Sequence, residues 1–463
     1  MKNHYILLLF LLLAGVFLYI VWINPSLRAN EIHVALDGDD VQDGSWKKPV
    51  RTLKQAATLA KPGTTVYIHA GVYTEPLVIK NSGTKAKPVV FRPYRNDEVI
   101  LSGKKLKSQD GTTALVTIDG KAYVTIRGLI IEDIKTKRAD ETVIGIYLTG
   151  PSHNVTLEQN TVRRIETSSK DGNGHGIAVY GTEPMHDITL TKNRVEDCRL
   201  GSSESIVLNG DIQHFTVKEN RVSRNDNIGI DLIGHEGVAT SGTDYVRDGI
   251  VTGNIVHDIS SYGNPAYGDA YAAGGIYVDG GKNIDIINNT VYRSDIGIEV
   301  TSEHRGKYAE QINVVGNTVY ENYYTGIAIG GYDSKRGGTR QTVIQQNVLY
   351  RNDTKGEDGG QLLVQHYVET TRFEENTVTA GPSRIMIANY VSSGSTNQFA
   401  RNVYEKESGK TSDWIWKEDT LSFTAFNKQV SDATSLYTDP LYVNAEDYDF
   451  RLKANSPVLK LRK

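Results

Sequence analysis

Residues Ile284–Val300 read IDIINNTVYRSDIGIEV. Ile284 and Ile286 alternate with other side chains, as in a strand with one buried face. Asn289 then opens a second short run, Thr290-Val291-Tyr292, and Gly297-Ile298-Glu299-Val300 opens a third. The Asn-x-aliphatic mark recurs at Asn160, Asn193, Asn220, Asn254, Asn289, Asn317, Asn347 and Asn376, and more weakly at Asn402. The intervals are 33, 27, 34, 35, 28, 30, 29 and 26 residues. A period in that range belongs to a solenoid or array. Leucine-rich horseshoes require leucine at fixed places and a helix per repeat, and propeller blades run longer, so two or three short strands per turn predict a parallel β-helix.

The second mark, Gly-Ile, stands at Gly145, Gly176, Gly229, Gly275, Gly297 and Gly326, with Ser205-Ile206 in the remaining place. The asparagine is expected to hydrogen-bond its own bend and the asparagine of the next coil. The glycine is expected to permit a left-handed or tight corner. The register can be checked within the sequence. Four residues after successive asparagines stand Arg164, Asp197, Arg224, Asp258, Arg293, Glu321 and Arg351. Their sign alternates, as stacked strands about 4.8 Å apart require. Tyr292, Tyr320 and Tyr350 form a neighbouring aromatic column.

The whole is expected to be an all-β, single right-handed parallel β-helix of about ten coils with an N-terminal capping helix. Residues 1–29 form a signal peptide or membrane anchor, since Lys2 precedes an apolar run, Tyr5–Ile23, as long as a bilayer span. Residues 30–110 hold the cap and first coils, with Leu53, Ala56, Ala57 and Ala60 on the buried side of a helix over Thr52–Ala60. Residues 111–405 carry the repeats and 406–463 the C-terminal cap, closed by Asp439–Ser456. Cys198 is the single cysteine, so no internal disulfide framework exists. A net charge of −4 offers no basic field for nucleic acid. The expected chain is an extracytoplasmic monomer touching membrane only through its first residues.

Several stretches resemble secreted bacterial proteins of the pectate-lyase-like β-helix superfamily. They include Asp37-Gly-Asp, Gly44 before Pro49, Pro62-Gly-Thr-Thr-Val, Gly71-Val-Tyr-Thr-Glu and Ser82-Gly-Thr before Pro88. The closing Asp439-Pro-Leu-Tyr, Asp449-Phe-Arg-Leu and Ser456-Pro are similar too. The resemblance implies a carbohydrate context, with polysaccharide lyases, hydrolases and epimerases as well as non-catalytic adhesins. Gly174-His175-Gly176 matches one hydrolase signature but lacks paired aspartates a coil earlier, and reads as a Gly-Ile corner preceded by a chance histidine. Asp37 to Gly44 reads as a turn.

Aligning coils on Gly-Ile places side chains. The second residue after glycine should point outward and stack as Tyr147, Ala178, Val207, Asp231, Tyr277, Glu299 and Ala328. The fourth gives Thr149, Tyr180, Asn209, Ile233, Asp279, Thr301 and Gly330. Acids thus concentrate at Asp231, Asp279 and Glu299, flanked by the longest turns, which carry His235-Glu236 and Glu303-His304-Arg305. Asp231, Asp279, Glu299, His235 and His304 are the candidate catalytic residues; Tyr277, Arg305, Tyr180 and Asn209 are the candidates for substrate binding. Two rungs separate Asp231 from Glu299 by roughly 9.6 Å, the upper edge of the approximate range for inverting glycosidases. The same three acids would alternatively hold Ca²⁺, a hard cation that takes oxygen ligands. The leading expectation is a polysaccharide-cleaving enzyme, with a lyase, favoured by the resemblance, slightly ahead of a glycoside hydrolase, favoured by the carboxylates; the alternative is a non-catalytic glycan-binding or structural cell-surface protein.

Overall fold

The computed structural model describes residues 30–106, 111–240, 242–391, 397–405 and 411–462. The apolar run Tyr5–Ile23 lies outside the described residues, among which no helix is long and apolar enough to cross a membrane. The chain winds into a parallel β-helix with three walls. One wall holds the Asn-x-aliphatic strands and stacks thirteen of them, from Gly71–Tyr73 to Leu436–Tyr437. The other two carry the Gly-Ile strands and the strands preceding each asparagine. They merge into one sheet where Asn173–Thr191 bends through both.

The thirteen rungs exceed the expected ten because the asparagine mark is missing at the ends. Three early rungs, Gly71–Tyr73, Val99–Ser102 and Ile130–Thr136, precede Asn160, and Ser435 replaces asparagine before the last. Ser435 still does the asparagine's work, its Oγ accepting from the Asn402 N–H at 2.8 Å.

The asparagine column is a continuous buried ladder. Each Nδ2 donates to the Oδ1 of the next member, for instance Asn254 to Asn289 at 2.9 Å and Asn289 to Asn317 at 3.0 Å. Each also donates to a carbonyl of the preceding coil, as Asn289 Nδ2 does to Val251 O at 2.9 Å. The same Oδ1 accepts the next backbone N–H, Asn254 N to Asn289 Oδ1 at 2.9 Å. Every polar atom of a fully buried amide is thereby satisfied, which burial demands.

The Gly-Ile glycines serve a different purpose from the one expected. None of Gly145, Gly176, Gly229, Gly275, Gly297 and Gly326 has positive φ. A Cβ on Gly297 would stand 2.4 Å from Val319 Cγ1 and 2.4 Å from Gly326 O, and the other five meet similar obstacles. Gly145, Gly176, Gly229, Gly275 and Gly297 face inward across the narrow lumen onto valines of the asparagine wall, and Gly326 onto Asn352. The left-handed corner falls instead on the alternating charge column, where Arg164, Asp197, Arg224, Asp258, Arg293, Glu321 and Arg351 all have φ between 48° and 57°. Ion pairs run along it, Arg164 Nε to Asp133 Oδ1, Arg224 Nε to Asp197 Oδ1 and Arg293 Nε to Asp258 Oδ1, each 2.7 Å. Tyr292 stacks on Tyr320 at 4.8 Å between centroids, and His257 extends the stack on the other side.

Thr52 caps the helix Leu53–Leu59, its side chain accepting from Gln55 N, and Leu53, Ala56 and Ala57 are buried over the first coils. At the far end the closing group is Trp414 with the helix Phe423–Val430, whose Phe426 is fully buried against Phe399 and Trp414. Asp439–Ser456 does not plug the end as expected. Its hairpin, Tyr442–Asn444 with Asp449–Leu452, lies on the flank, where Tyr448 and Phe450 meet Tyr320. Asp40 and Asp43 accept backbone N–H groups of their own loop, as a turn requires.

Two outcomes are expected. Replacing Asn289 by alanine strands partners on both sides and should lower unfolding free energy by roughly 3 kcal/mol, read by chemical denaturation. The adjacent Asn288→Gln, at an exposed corner, should change it by no more than about 0.5 kcal/mol. Separately, the hydrogen bond from Arg164, joined by Lys104, pulls the Asp133 carboxyl from 3.8 down to about 2. A lowered acid contributes stability above its unfolded value that disappears as pH falls through the folded one. Arg164→Gln should therefore flatten the acid limb of stability between about pH 4 and pH 2, measured by thermal melts across that window.

Candidate functional site

Three consecutive Gly-Ile strands, Ile230–Ile233, Gly274–Asp279 and Ile296–Thr301, carry the acids. Their register places Asp231 opposite Tyr277 and Tyr277 opposite Glu299. Flanking Ile230, Leu232, Ile276, Val278, Ile298 and Val300 fill the lumen, so the intervening side chains point outward. Asp279, two residues beyond Tyr277, shares that face. Outward does not mean solvated here: Asp231, Asp279 and Glu299 are only 2%, 3% and 6% exposed.

The turns after these strands fold over them. The Asp279 Oδ1 accepts the Glu303 N–H at 2.7 Å, and the Tyr277 hydroxyl donates to Glu303 Oε1 at 3.4 Å. The Asn209 Nδ2 donates to Glu236 Oε2 at 2.7 Å. Glu236, Glu303 and His304 form a lip above a floor of Asp231, Asp279 and Glu299, with Glu204 beside it. Among the described residues the guanidinium or ammonium group paired with any of these six carboxyl groups is that of Arg336, whose Nη1 lies 3.9 Å from Glu303 Oε2 while the group rests on Tyr332.

Electrostatics follow from that crowding. Burial, then the carboxylates of Glu204 and Asp279, raise the Asp231 pKa well above the usual range. Burial raises Asp279 too, opposed by the Glu303 N–H and reinforced by Glu303 and Glu236. Glu299 is lifted from 4.5 to about 8 by burial and by Glu303. Glu236 rises through desolvation of its carboxyl end, partly offset by Asn209.

Several expected residues come together and others do not. Tyr277 lies within the centre. Tyr180 borders it, its hydroxyl 3.1 Å from His175 Nε2, and Asn209 positions Glu236. His235 belongs elsewhere: it turns into a cleft of about 250 Å³ lined by Tyr245, Lys282, Lys307, Tyr308 and Arg340. Its backbone φ of 73° swings the side chain round the corner. Arg305 is exposed on its turn. The donor atoms that converge are those of Glu236, Asp279 and His304, all within 4.8 Å of one another. Of the expected Ca²⁺ ligands Asp231, Asp279 and Glu299, only Asp279 joins that set, because Glu299 Oε2 faces Gly274. An imidazole among the converging atoms does not suit Ca²⁺, which takes six to eight oxygens.

Two residues outside the expected set adjoin the centre, His175 and Glu204, the His175 Nδ1 lying 3.3 Å from Glu204 Oε2 on the next coil. The signal was available in the residue before each Gly-Ile or Ser-Ile, which also points outward. Apolar outer patches flank the centre along the axis, Ile144, Ala178, Val207 and Ile233 on one side and Ile296, Ala328, Leu363 and Ile385 on the other. Tyr267 and Tyr332 stand 37% and 45% exposed near the acids.

Residues 32–199 match a family described as Pel9A-like, right handed beta helix region, a stretch that ends before Glu204. The uncharacterized protein YwoF of Bacillus subtilis (strain 168) is 47% identical over 458 residues, covering 97% of this chain and 98% of that one. The pectate lyase PEL9 of Emericella nidulans is 34% identical over 84 residues, 18% of this chain and 20% of its own. A solved structure titled glycoside hydrolase superposes with a TM-score of 0.52 at 11% identity, over 92% of this chain and 99% of that one; it shares the fold. The long asparagine ladder, the Pel9A-like region and the end-to-end likeness to YwoF have one reading: this chain belongs, with YwoF, to the pectate-lyase-like superfamily of right-handed β-helix proteins.

Proposed function

We propose that the protein is an extracytoplasmic polysaccharide-cleaving enzyme that hydrolyses glycosidic bonds by carboxyl acid–base catalysis. The observation that carries this reading is one outward column holding Asp231 and Glu299, with Asp279 on the same face, between apolar flanks. A glycosidic oxygen leaves readily only when protonated, so the enzyme needs a carboxyl group that still holds its proton at neutral pH. Glu299 is raised into that condition, to about 8, by burial and by Glu303, and burial with Glu204 and Asp279 raises Asp231 in the same direction. Glu303, on the solvent-facing lip, would take the proton of the attacking water. Sugar rings have apolar faces, and the exposed rings of Tyr267 and Tyr332 supply matching surfaces. The apolar run Tyr5–Ile23 supports export, where polymeric glycans are met.

Elimination is the second reading, favoured by the Pel9A-like region and by the pectate lyase PEL9 likeness. Six carboxyl groups repel a uronate unless something neutralises them, which is why hydrolysis leads. Purified protein incubated with neutral and acidic glycans separates the two. New reducing ends without the ultraviolet absorption of an unsaturated uronate mean hydrolysis, and that absorption means elimination. No product across the panel would sink both.

With an active glycan in hand, Glu299→Gln and Asp231→Asn should each lower kcat by at least about 10²-fold with KM little changed. His235→Ala, facing its separate cleft, should stay within about twofold of the parent. Stability should move the other way for Glu299. Between its ordinary 4.5 and about 8 the folded state keeps a proton that the unfolded chain has released, so stability falls as pH rises through that window. Glu299→Gln removes this loss. Its melting temperature should exceed the parent's by a margin that grows from about pH 5 to pH 8.

A further inference from the structure

Asp231 Oδ1 and Asn209 Oδ1 are buried without a hydrogen-bond partner, in residues each only 2% exposed. His304 Nε2 is likewise buried at the atom and without a partner. An unsatisfied buried polar atom costs about 1–3 kcal/mol, and buried polar groups are seldom left so. All three belong to the region where Glu236, Asp279 and His304 converge to within 4.8 Å. Asn209 is bonded to Glu236, and the charges of Asp279 and Glu236 act on Asp231. Two things are therefore unexplained at one place: the unpartnered atoms of Asp231, Asn209 and His304, and the carboxyl groups of Asp231, Asp279 and Glu236, which no Lys or Arg among the described residues pairs with.

We infer that Glu236, Asp279 and His304 bind one first-row divalent cation of the Zn²⁺ or Mn²⁺ kind in preference to Ca²⁺, with the unpartnered Oδ1 atoms of Asp231 and Asn209 accepting hydrogen bonds from its bound waters. A cation supplies what both deficits lack. The donor set decides its identity. Ca²⁺ seeks a shell of hard oxygens, whereas imidazole suits Zn²⁺ and its neighbours and carboxylate suits Mn²⁺. Two carboxylates and one imidazole accommodate the first-row ions and leave positions for water or a sugar oxygen. His304 lies on a partly exposed turn next to Ser302 and Glu303, and the Ser302 Oγ accepts the His304 N–H at 3.3 Å. That turn brings a nitrogen to a strand pair that otherwise offers oxygen alone. Such an ion would also neutralise part of the acidic centre, so an anionic sugar could approach it.

The inference stands apart from which glycosidic reaction occurs, and binding can be read without turnover. Chelator-treated full-length protein is titrated calorimetrically with Zn²⁺, Mn²⁺ and Ca²⁺ separately, and pulsed paramagnetic resonance is recorded on the Mn²⁺ form. One equivalent of Zn²⁺ should bind, more tightly than Mn²⁺, and each at least about tenfold more tightly than Ca²⁺. Nitrogen modulation from one imidazole should appear in the Mn²⁺ spectrum. His304→Gln, which offers an oxygen in place of the nitrogen, should abolish that modulation and the advantage over Ca²⁺. Asp279→Asn should weaken all three ions. Glu299→Gln, lacking the proposed proton donor, should bind Zn²⁺ as the parent does, so that failed catalysis and failed metal binding are told apart. Ca²⁺ binding as tight as Zn²⁺, no binding of any ion, or Zn²⁺ affinity untouched by His304→Gln would overturn the inference. Because His304 lies outside the lumen, its variant serves even if Asp279→Asn does not fold.

Discussion

The buried amide ladder is the constraint on which the rest of the molecule rests. An asparagine inside a β-helix corner is stable only when the asparagine above and the carbonyl below are in register, because each unmet hydrogen bond there is paid in full. From Asn160 to Asn402 the ladder is unbroken. It pins coils whose lengths differ by up to nine residues, and variation is driven into the turns. A slip by one residue would send outward groups into the lumen. Asp231, Tyr277 and Glu299 meet on one face because that slip is prevented.

The outer face of the Gly-Ile wall shows what this rigidity permits. Six carboxyl groups crowd this face, and burial disfavours the charges of Asp231, Asp279, Glu299 and Glu236. In a softer scaffold the strands would part to let water in. Here the opposite faces of the same strands are locked by Ile230, Leu232, Ile276, Val278, Ile298 and Val300 in the lumen, and by glycines that admit no larger residue. The apolar interior sustains a strained polar exterior, an arrangement expected where a site conflicts with stability.

Much of this was readable from residues alone, and the errors have physical causes. Coils were undercounted because Leu129 and Ser435 stand where the mark should be, although the serine keeps the hydrogen bond. The glycines were assigned to corners because positive φ is the familiar demand on glycine, whereas the demand here is lumen space. Asp231, Tyr277 and Glu299 could be placed together since strands obey a fixed repeat. His235 and Arg305 could not be placed, because turn residues obey none.

The sequence by itself determined the stacking, the register and the side of the wall on which each strand residue lies, because alternation and the amide ladder are periodic. Tertiary structure alone decided that outward acids are buried, that Glu204 and His175 join them, and that Glu236 and His304 close over Asp279. Those outcomes depend on how irregular turns fold back across the wall, through single contacts such as Asn209 to Glu236 and the Glu303 N–H to Asp279, which leave no repeat in the chain.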